Sequence, residues 1–470
     1  MKKAGISRRN FLGKAATVGV AGVIVPTILT GCSRETKKTV AVQAFNDQAP
    51  DGPVIKAGVV GCGGRGTGAA INFLSAGPNL QIVALGDTFQ DRVDTCRERI
   101  LKEKGQEVPV EKCFVGFDAY QKVLDAGVDL VILATPPMFR PEHIAAAVAA
   151  KKHIFAEKPV CVDPVGARSC MASAEKAKGM ELSIATGTQR RHQRDYVGAW
   201  QQVQEGLIGD ITGGNVWWNG GKLWHRENNP AWTEMEWMIR DWVNWTWLSG
   251  DHIVEQHVHN LDVMNWFTGS HPVKAVGMGS RLRRVTGNQY DNFSIDYTFE
   301  NGMHFHSMCR QINGCANNVS ERLQYQKGSV YLFQSQDIYI KDNKDQVIWK
   351  FEYPADETGQ PSKKKMVDPY VQEHIDLITA IRSGKTFNEL ENTAVSTMTA
   401  IMGRLSAYTG KETTWDEMMN SELKLGPATF VFGPVDIDKS IPVAGLAYDP
   451  EAEKKRAEEK AAAAAKKSQG

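Results

Sequence analysis

The stretch from Val54 to Asp87, VIKAGVVGCGGRGTGAAINFLSAGPNLQIVALGD, leaves few folds open. An apolar, β-branched run from Val54 to Val60 ends in Gly61, Gly63, Gly64 and Gly66. A segment rich in small residues, Thr67 to Ser75, reads as a helix, and a second apolar run, Leu80 to Leu85, ends at Asp87. Strand, glycine turn, helix and strand in this order, with Gly61-x-Gly63-x-x-Gly66 between the first strand and the helix, form the dinucleotide-binding fingerprint. The first glycine permits the tight turn, the second lets backbone approach a pyrophosphate, and the third lets the helix lie on the strand. The helix N-terminus then offers free N–H groups to the phosphates. Asp87 stands about twenty residues beyond the last glycine, where a carboxylate accepts from a ribose 2′-hydroxyl and repels a 2′-phosphate. NAD is therefore the expected cofactor, in preference to NADP.

Alternation of helix and strand continues past Asp87. Helices are expected over Phe89–Lys104, Phe117–Ala126 and Pro141–Ala150, and strands over Val128–Ala134, His153–Ala156 and Leu182–Ala185. The run VDLVILA has the continuous apolar character of a strand buried on both faces. Asp163-Pro164 supplies a cap and a first-turn proline for another helix. From Ile211 the texture changes to short segments, several alternating apolar and polar residues: Ile211–Trp218, Val273–Arg281, Asn292–Phe299, Met303–Arg310, Glu321–Gln326 and Val330–Phe333. Alternation of this kind marks an antiparallel sheet with one wet face. Two amphipathic helices, Tyr370–Ser383 and Thr393–Thr409, return after it. The expected fold is α/β, a Rossmann dinucleotide-binding domain over 54–186 followed by an α/β domain with an open, mostly antiparallel sheet over 187–430. Residues 431–470 form a C-terminal extension ending in a low-complexity run of Lys, Glu and Ala.

The N-terminus reads as a targeting segment rather than fold. Ser7-Arg8-Arg9-Asn10-Phe11-Leu12 resembles a twin-arginine export signal, and Leu29-Thr30-Gly31-Cys32 at the end of the following apolar segment resembles a bacterial lipobox. That apolar segment is too short and too rich in Ala and Gly for a good membrane span. Residues 1–32 are thus expected to be a signal with Cys32 as the lipidation site, and 33–53 a polar tether. The expected location is periplasmic, held to a bacterial membrane by lipid alone, with the outer membrane slightly favoured because Ser33 rather than Asp follows Cys32. The formal net charge of +1 gives no basic field for nucleic acid. Eight cysteines contain no CxxC pair, and export after folding works against a disulfide framework.

At Gly61-Cys62-Gly63-Gly64-Arg65-Gly66, Glu157-Lys158-Pro159 and Glu255 to Asp262 the chain resembles the Gfo/Idh/MocA oxidoreductase family, the glucose–fructose oxidoreductase and inositol dehydrogenase group. The resemblance runs from about Val54 to Trp415. It implies a small carbohydrate substrate, NAD(P), and a homodimer or homotetramer packed through the open sheet. In the family, the lysine matching Lys158 contacts the substrate oxygen and the nicotinamide side. The resemblance places Gly61, Gly63, Gly64, Arg65, Gly66, Asp87, Thr135, Pro136, His143, Glu157 and Lys158 at the cofactor.

Oxidising a secondary alcohol needs a hydride acceptor, a base for the hydroxyl proton and a group that holds the oxygen. Lys158 stands at the end of a parallel strand, where open α/β sheets place their ligands. If Glu255–Asp262 is one helix, Glu255 and His259 share a face, with Asp262 three residues on. His259, whose ordinary pKa is near neutrality, is the expected acid–base group, with Glu255 orienting it or holding a sugar hydroxyl. The family pattern has Asp where Glu255 stands. His257 reads equally as a substrate ligand or a core histidine. His252, His257 and His259 lack the HExxH spacing, and no metal is expected. Arg190 and Arg191, after the last parallel strand, read either as substrate ligands or as a charged pair at a domain junction. Between Trp217 and Trp247 lie eight of the twelve tryptophans. Trp224 and its neighbours fit the face of a sugar ring, and the same indoles fit an aromatic core or subunit contact. Three functions fit these residues. One is a dehydrogenase acting on a hydroxyl, such as C3, of a sugar or glycoside with a tightly bound cofactor. Another is an NAD-dependent glycosidase working by transient C3 oxidation and elimination. The third is a non-catalytic sugar-binding lipoprotein.

Overall fold

A computed structural model describes residues 45–445. Cys32 with the whole expected signal, residues 33–44 and the Lys-Glu-Ala run from Ala452 lie outside the described residues. Among the described residues no helix is long and apolar enough to cross a membrane.

Six strands build the first sheet: β1 (Ile55–Val60), β2 (Leu80–Asp87), β3 (Cys113–Val115), β4 (Leu130–Leu133), β5 (His153–Ala156) and β6 (Ile184–Thr186). All pair in parallel, in the order β3-β2-β1-β4-β5-β6. The order reverses between β1 and β4, which opens a crevice at their carboxyl ends. The residues of β4 are all buried, as a strand covered on both faces requires. The helix after the glycine turn starts earlier than the sequence suggests, at Gly64, and runs to Ser75. Asp163 caps the helix Pro164–Lys178 by accepting from the Gly166 N–H at 2.7 Å. The edge strand β3 was not expected. It has three residues, none buried, so it carries no periodic signal.

The second sheet has nine strands: β7 (Ile211–Gly220), β8 (Lys274–Ser280), β9 (Asn292–Thr298), β10 (His304–Gln311), β11 (Asn318–Tyr325), β12 (Gly328–Phe333), β13 (Tyr339–Asp342), β14 (Val347–Lys350) and β15 (Thr413–Thr414). Their order is β14-β13-β12-β11-β7-β10-β9-β8-β15, antiparallel throughout except where β10 runs parallel to β7. Strands β9 and β10 alternate buried and half-exposed residues as the sequence predicts. The buried side meets the helix Leu390–Thr409, where the Tyr297 hydroxyl donates to the Thr399 carbonyl at 3.1 Å. On the other side Val276 and Met278 stand 50% and 71% exposed.

Three expectations need correction. The end of the expected tether is packed: Ala49 N–H donates to the Ala76 carbonyl at 2.7 Å, and Arg194 lies over Phe45 and pairs with Asp47. The helix Pro369–Arg382 belongs to the parallel sheet, because Ile375, Leu377 and Ile378 are buried in one cluster with Ala57, Val59, Ile82 and Leu130. The stretch Glu255–Asp262 is two helices, His252–Glu255 and Val258–Thr268, broken at Gln256 and His257.

Candidate active site

A cavity of about 400 Å³ opens at the carboxyl ends of β1, β2 and β4. Gly61, Gly63, Gly64, Arg65, Asp87, Thr135, Pro136 and His143 line it, as expected of cofactor residues. Gly61 has φ +92°, and a Cβ on it would meet Thr135 N at 2.5 Å, so only glycine suits the turn. A Cβ on Gly66 would meet the Gly61 carbonyl oxygen at 1.8 Å. A Cβ on Gly63 or Gly64 would meet nothing within 4 Å. Gly63 is also the N-cap of the helix and gives it no side-chain cap, so the helix N–H groups face an open space. The pyrophosphate of a dinucleotide fits this cradle. Asp87 takes the Cys62 N–H at 2.7 Å and the Phe89 N–H at 3.0 Å, which fixes its carboxylate in the cavity; burial raises its pKa. His143 stacks on Tyr120 with ring centres 4.3 Å apart, and burial drops its pKa to about 3, so the ring is neutral.

The far wall of the cavity comes from the tryptophan-rich segment, through Trp224, Arg226, Arg240 and Trp242. Arg240 lies over Phe89, 3.9 Å from the ring centre, and pairs with Asp91 at 3.0 Å. The end of the chain adds a strap: Phe430 packs on Phe139 at 4.9 Å, Phe432 on Phe117 at 5.3 Å, and Val435 is buried. An extension beginning at 431 therefore does not separate here. The core reading of the tryptophans holds for some members, and the sugar-face reading of Trp224 is corrected. Trp245 and Trp247 are core, whereas Trp224 and Trp242 face the dinucleotide cavity rather than a separate sugar cleft.

Lys158 follows β5 and reaches Glu255, with Nζ 3.0 Å from Oε1 and donating also to the Glu255 carbonyl. Both side chains are mostly buried. His259 stacks on Trp218 with ring centres 5.6 Å apart, and its Nδ1 is buried with no hydrogen-bond partner among the described residues. Burial, then the charges of Lys158, Arg190 and Arg65, hold the His259 pKa well below the ordinary value. The expectation of an imidazole titrating near neutrality is thus corrected: this ring is neutral. Lys158, Glu255 and His259 do not line the dinucleotide cavity; Arg65, which does, acts with Lys158 on the His259 ring.

Glu157 is buried and meets the cleft through Arg65, whose guanidinium it binds together with Glu373. Arg65 lies over Tyr370, 4.6 Å from the ring centre. Tyr370 and Glu373 escape a sequence reading, since they stand some three hundred residues after Arg65 on an otherwise ordinary amphipathic helix.

Asp262 and three residues read as possible substrate ligands, Arg190, Arg191 and His257, are held inside the protein, which favours the structural alternative for each. Arg191 binds Asp262 through two bonds of 2.8 and 2.9 Å, and Asp262 also accepts from Ser396 at 2.8 Å. Arg190 pairs with the buried Glu321, which accepts from Asn260 at 2.6 Å as well. His257 is buried with Nε2 2.7 Å from the Ser307 hydroxyl, and burial brings its pKa to about 3. Adjacent arginines after a parallel strand look alike in sequence whether they face solvent or buried acids, and the acids here come from distant segments.

Residues 55–186 match the model of an oxidoreductase family with an NAD-binding Rossmann fold, and residues 196–331 match the GFO/IDH/MocA C-terminal domain. The NAD-dependent scyllo-inositol 2-dehydrogenase of Bacillus subtilis is 24% identical over 245 residues, 52% of this chain and 63% of its own length. A glycosyl hydrolase family 109 protein of Streptomyces coelicolor is 27% identical over 222 residues, 45% of this chain and 44% of its own. The chain thus spans less than two thirds of these curated relatives. A levoglucosan dehydrogenase solved with NADH and levoglucosan shares the fold, with a TM-score of 0.62 at 16% identity over 77% of this chain and 99% of that one. Two adjoining family models cover more than half of the residues, and both sheets have the expected topology: the chain belongs to the Gfo/Idh/MocA oxidoreductase family, with its NAD-binding Rossmann domain first and its mostly antiparallel domain second.

Proposed function

We propose that this protein oxidises a hydroxyl of a sugar or glycoside with NAD, at a site made by Lys158, His259 and Glu255. The observation that carries this reading is the buried His259 ring, stacked on Trp218 with an unpartnered Nδ1 and lying in the field of the Lys158 ammonium, which Glu255 holds just past β5. When bound, NAD supplies the hydride acceptor. Lys158 holds the substrate oxygen as its negative charge develops, and His259 takes the hydroxyl proton on a ring nitrogen. Glu255 fixes the Lys158 ammonium until substrate arrives. Trp218, stacked on His259, keeps the ring in place and dry.

A second reading, a glycosidase that oxidises C3 transiently and eliminates the aglycone, is favoured by the aromatic wall facing the glycine cradle. The tryptophan-rich wall lines the dinucleotide cavity, and the Phe430–Phe432 strap packs on Phe139 and Phe117, which line it too, an arrangement that suits a cofactor kept through the cycle. The experiment uses protein as purified, with no NAD added, and a nitrophenyl glycoside panel followed by mass spectrometry. Keto-sugar with reduced cofactor supports the dehydrogenase. Aglycone release without net NADH supports the glycosidase. Protein that carries NAD yet processes no glycoside overturns both. We further propose that the protein acts outside the cytoplasm, tethered through Cys32. In cell fractionation, Cys32→Ser should move it from the membrane to the soluble fraction, and an unchanged membrane fraction sinks the tether.

A further inference from the structure

A second cavity of about 400 Å³ lies on the other side of the tryptophan-rich wall. The wall is thin: Trp224 and Arg226 face the dinucleotide cavity, and His225 between them faces this one. Asn244 lines it too, two residues from Trp242 on the cofactor side. Gln311 lines it and donates to Gln256 at 2.6 Å, the residue after Glu255, which binds Lys158. The volume is that of a small-molecule site, linked to the proposed reaction centre through the Gln311–Gln256 hydrogen bond.

Its charge is one-sided. Lys222, Arg283 and Arg284 line it, and no carboxylate does. Arg284 is fixed by neutral acceptors, with Nε donating to the Tyr290 carbonyl at 2.6 Å and a terminal nitrogen to Asn244 at 2.9 Å. Among the described residues neither the Lys222 ammonium nor the Arg283 guanidinium has an ion-pair partner, and His225 is paired with Glu227 at 3.1 Å. Four acids stand around it: Glu227 on His225, the buried Asp241, which accepts from Asn244 at 2.8 Å, and two behind the loop. Asp291 takes the backbone N–H groups of Leu282, Arg283 and Arg284, and Asp251 those of His252 and Tyr290; both are buried. They shape the loop and offset part of the Arg284 charge, leaving Lys222 and Arg283, both exposed at the rim, without an ion-pair partner among the described residues. Like cations lining one cavity repel each other, and a compact oxyanion removes that repulsion while taking charge-assisted hydrogen bonds.

We propose that this cavity selects a sugar carrying an anionic substituent, a carboxylate or a sulfate ester, with Lys222 and Arg283 as the residues that read it. The inference rests on the sugar-oxidising reading above and names its substrate class. The test compares a nitrophenyl glucuronide, a 6-sulfated glucoside and the neutral glucoside of the same aglycone. Calorimetry gives binding and mass spectrometry gives turnover, on wild type and the Lys222→Gln/Arg283→Gln double variant. At least one anionic glycoside should exceed the neutral one about tenfold or more, and the double variant should lower that ratio about 10- to 100-fold, the scale of a charge-assisted bond. Arg283→Lys in the presence of Lys222 should keep part of the preference, and added salt should weaken it. Which of the two anions wins separates a uronate reader from a sulfate reader. Equal binding of all three, or a preference untouched in the double variant, overturns the inference even where the neutral glucoside is processed. Anion binding that the double variant abolishes, with no glycoside turned over, supports the pocket and overturns the oxidoreductase reading instead.

Discussion

Lys158 acts on His259 through its field as well as through its own ammonium, since its charge is the largest contribution after burial to the depressed imidazole pKa. Neither side chain packs into the Rossmann core, so Lys158→Ala and His259→Ala should fold and keep NAD. Each should lose about two to four decades of turnover, the range for a positioned acid–base or oxyanion group. The double variant should be little worse than the poorer single one, because groups that act as a unit are not additive. Wild-type rates of cofactor reduction in stopped flow for both single variants would mean that the site lies elsewhere. The pH dependence follows with a definite sign. A base whose pKa is pushed down stays neutral as the pH falls through 6.5, so the acid limb of kcat/KM should lie well below the position of an ordinary histidine. Removing one of the charges that depresses it, in Lys158→Met, should move the limb of the residual activity upward, and an unmoved limb would detach His259 from the profile. Both residues were singled out by their motifs. The state of the imidazole was not legible, because burial and the nearness of Lys158, Arg190 and Arg65 depend on how distant segments meet.

Among the elements, the glycine turn carries two separable roles. A methyl on Gly66 would press into the Gly61 carbonyl oxygen, whereas a methyl on Gly63 would stand in open space. Gly66→Ala should therefore lower the melting temperature and abolish NAD binding. Gly63→Ala should melt near the wild type yet bind NAD at least tenfold more weakly, because its methyl occupies the cradle where backbone must approach phosphate. Equal affinity for NAD in Gly63→Ala, measured by calorimetry, would place the pyrophosphate away from this turn. This element was readable in sequence because its spacing and flanking apolar runs are local. Strands β9 and β10 were readable for the same reason, their alternation being a local property. The break at Gln256 and His257 was hidden, since the sequence there continues a helical pattern. Strands β13 and β14 have four residues each, and mostly half-exposed or exposed ones, so no period marks them. The strap near Phe430 carries no regular structure at all; only its contacts with Phe117 and Phe139 give it a place.

For the whole molecule, the uncovered side of the second sheet predicts association. Val276 and Met278 stand exposed there beside Met308 and the half-exposed Phe333 side of the strand array. Apolar side chains grouped on one sheet face mark a contact surface. A homodimer or homotetramer joined through this face should sediment or scatter as such at micromolar protein, and Met278→Asp should shift it toward monomer; a monomeric wild type would refute the assignment. The helix Pro369–Arg382 has a different consequence. Together with Phe387, whose carbonyl takes the Ile184 N–H at 2.6 Å, it completes the packing of the parallel sheet. A ribosome making this chain releases the glycine turn and all six parallel strands long before Ile375 and Phe387 exist. Domains generally fold during synthesis from the N-terminus onward. Here the nucleotide-binding half is translated first and finished last, its packing complete only once Phe387 has emerged.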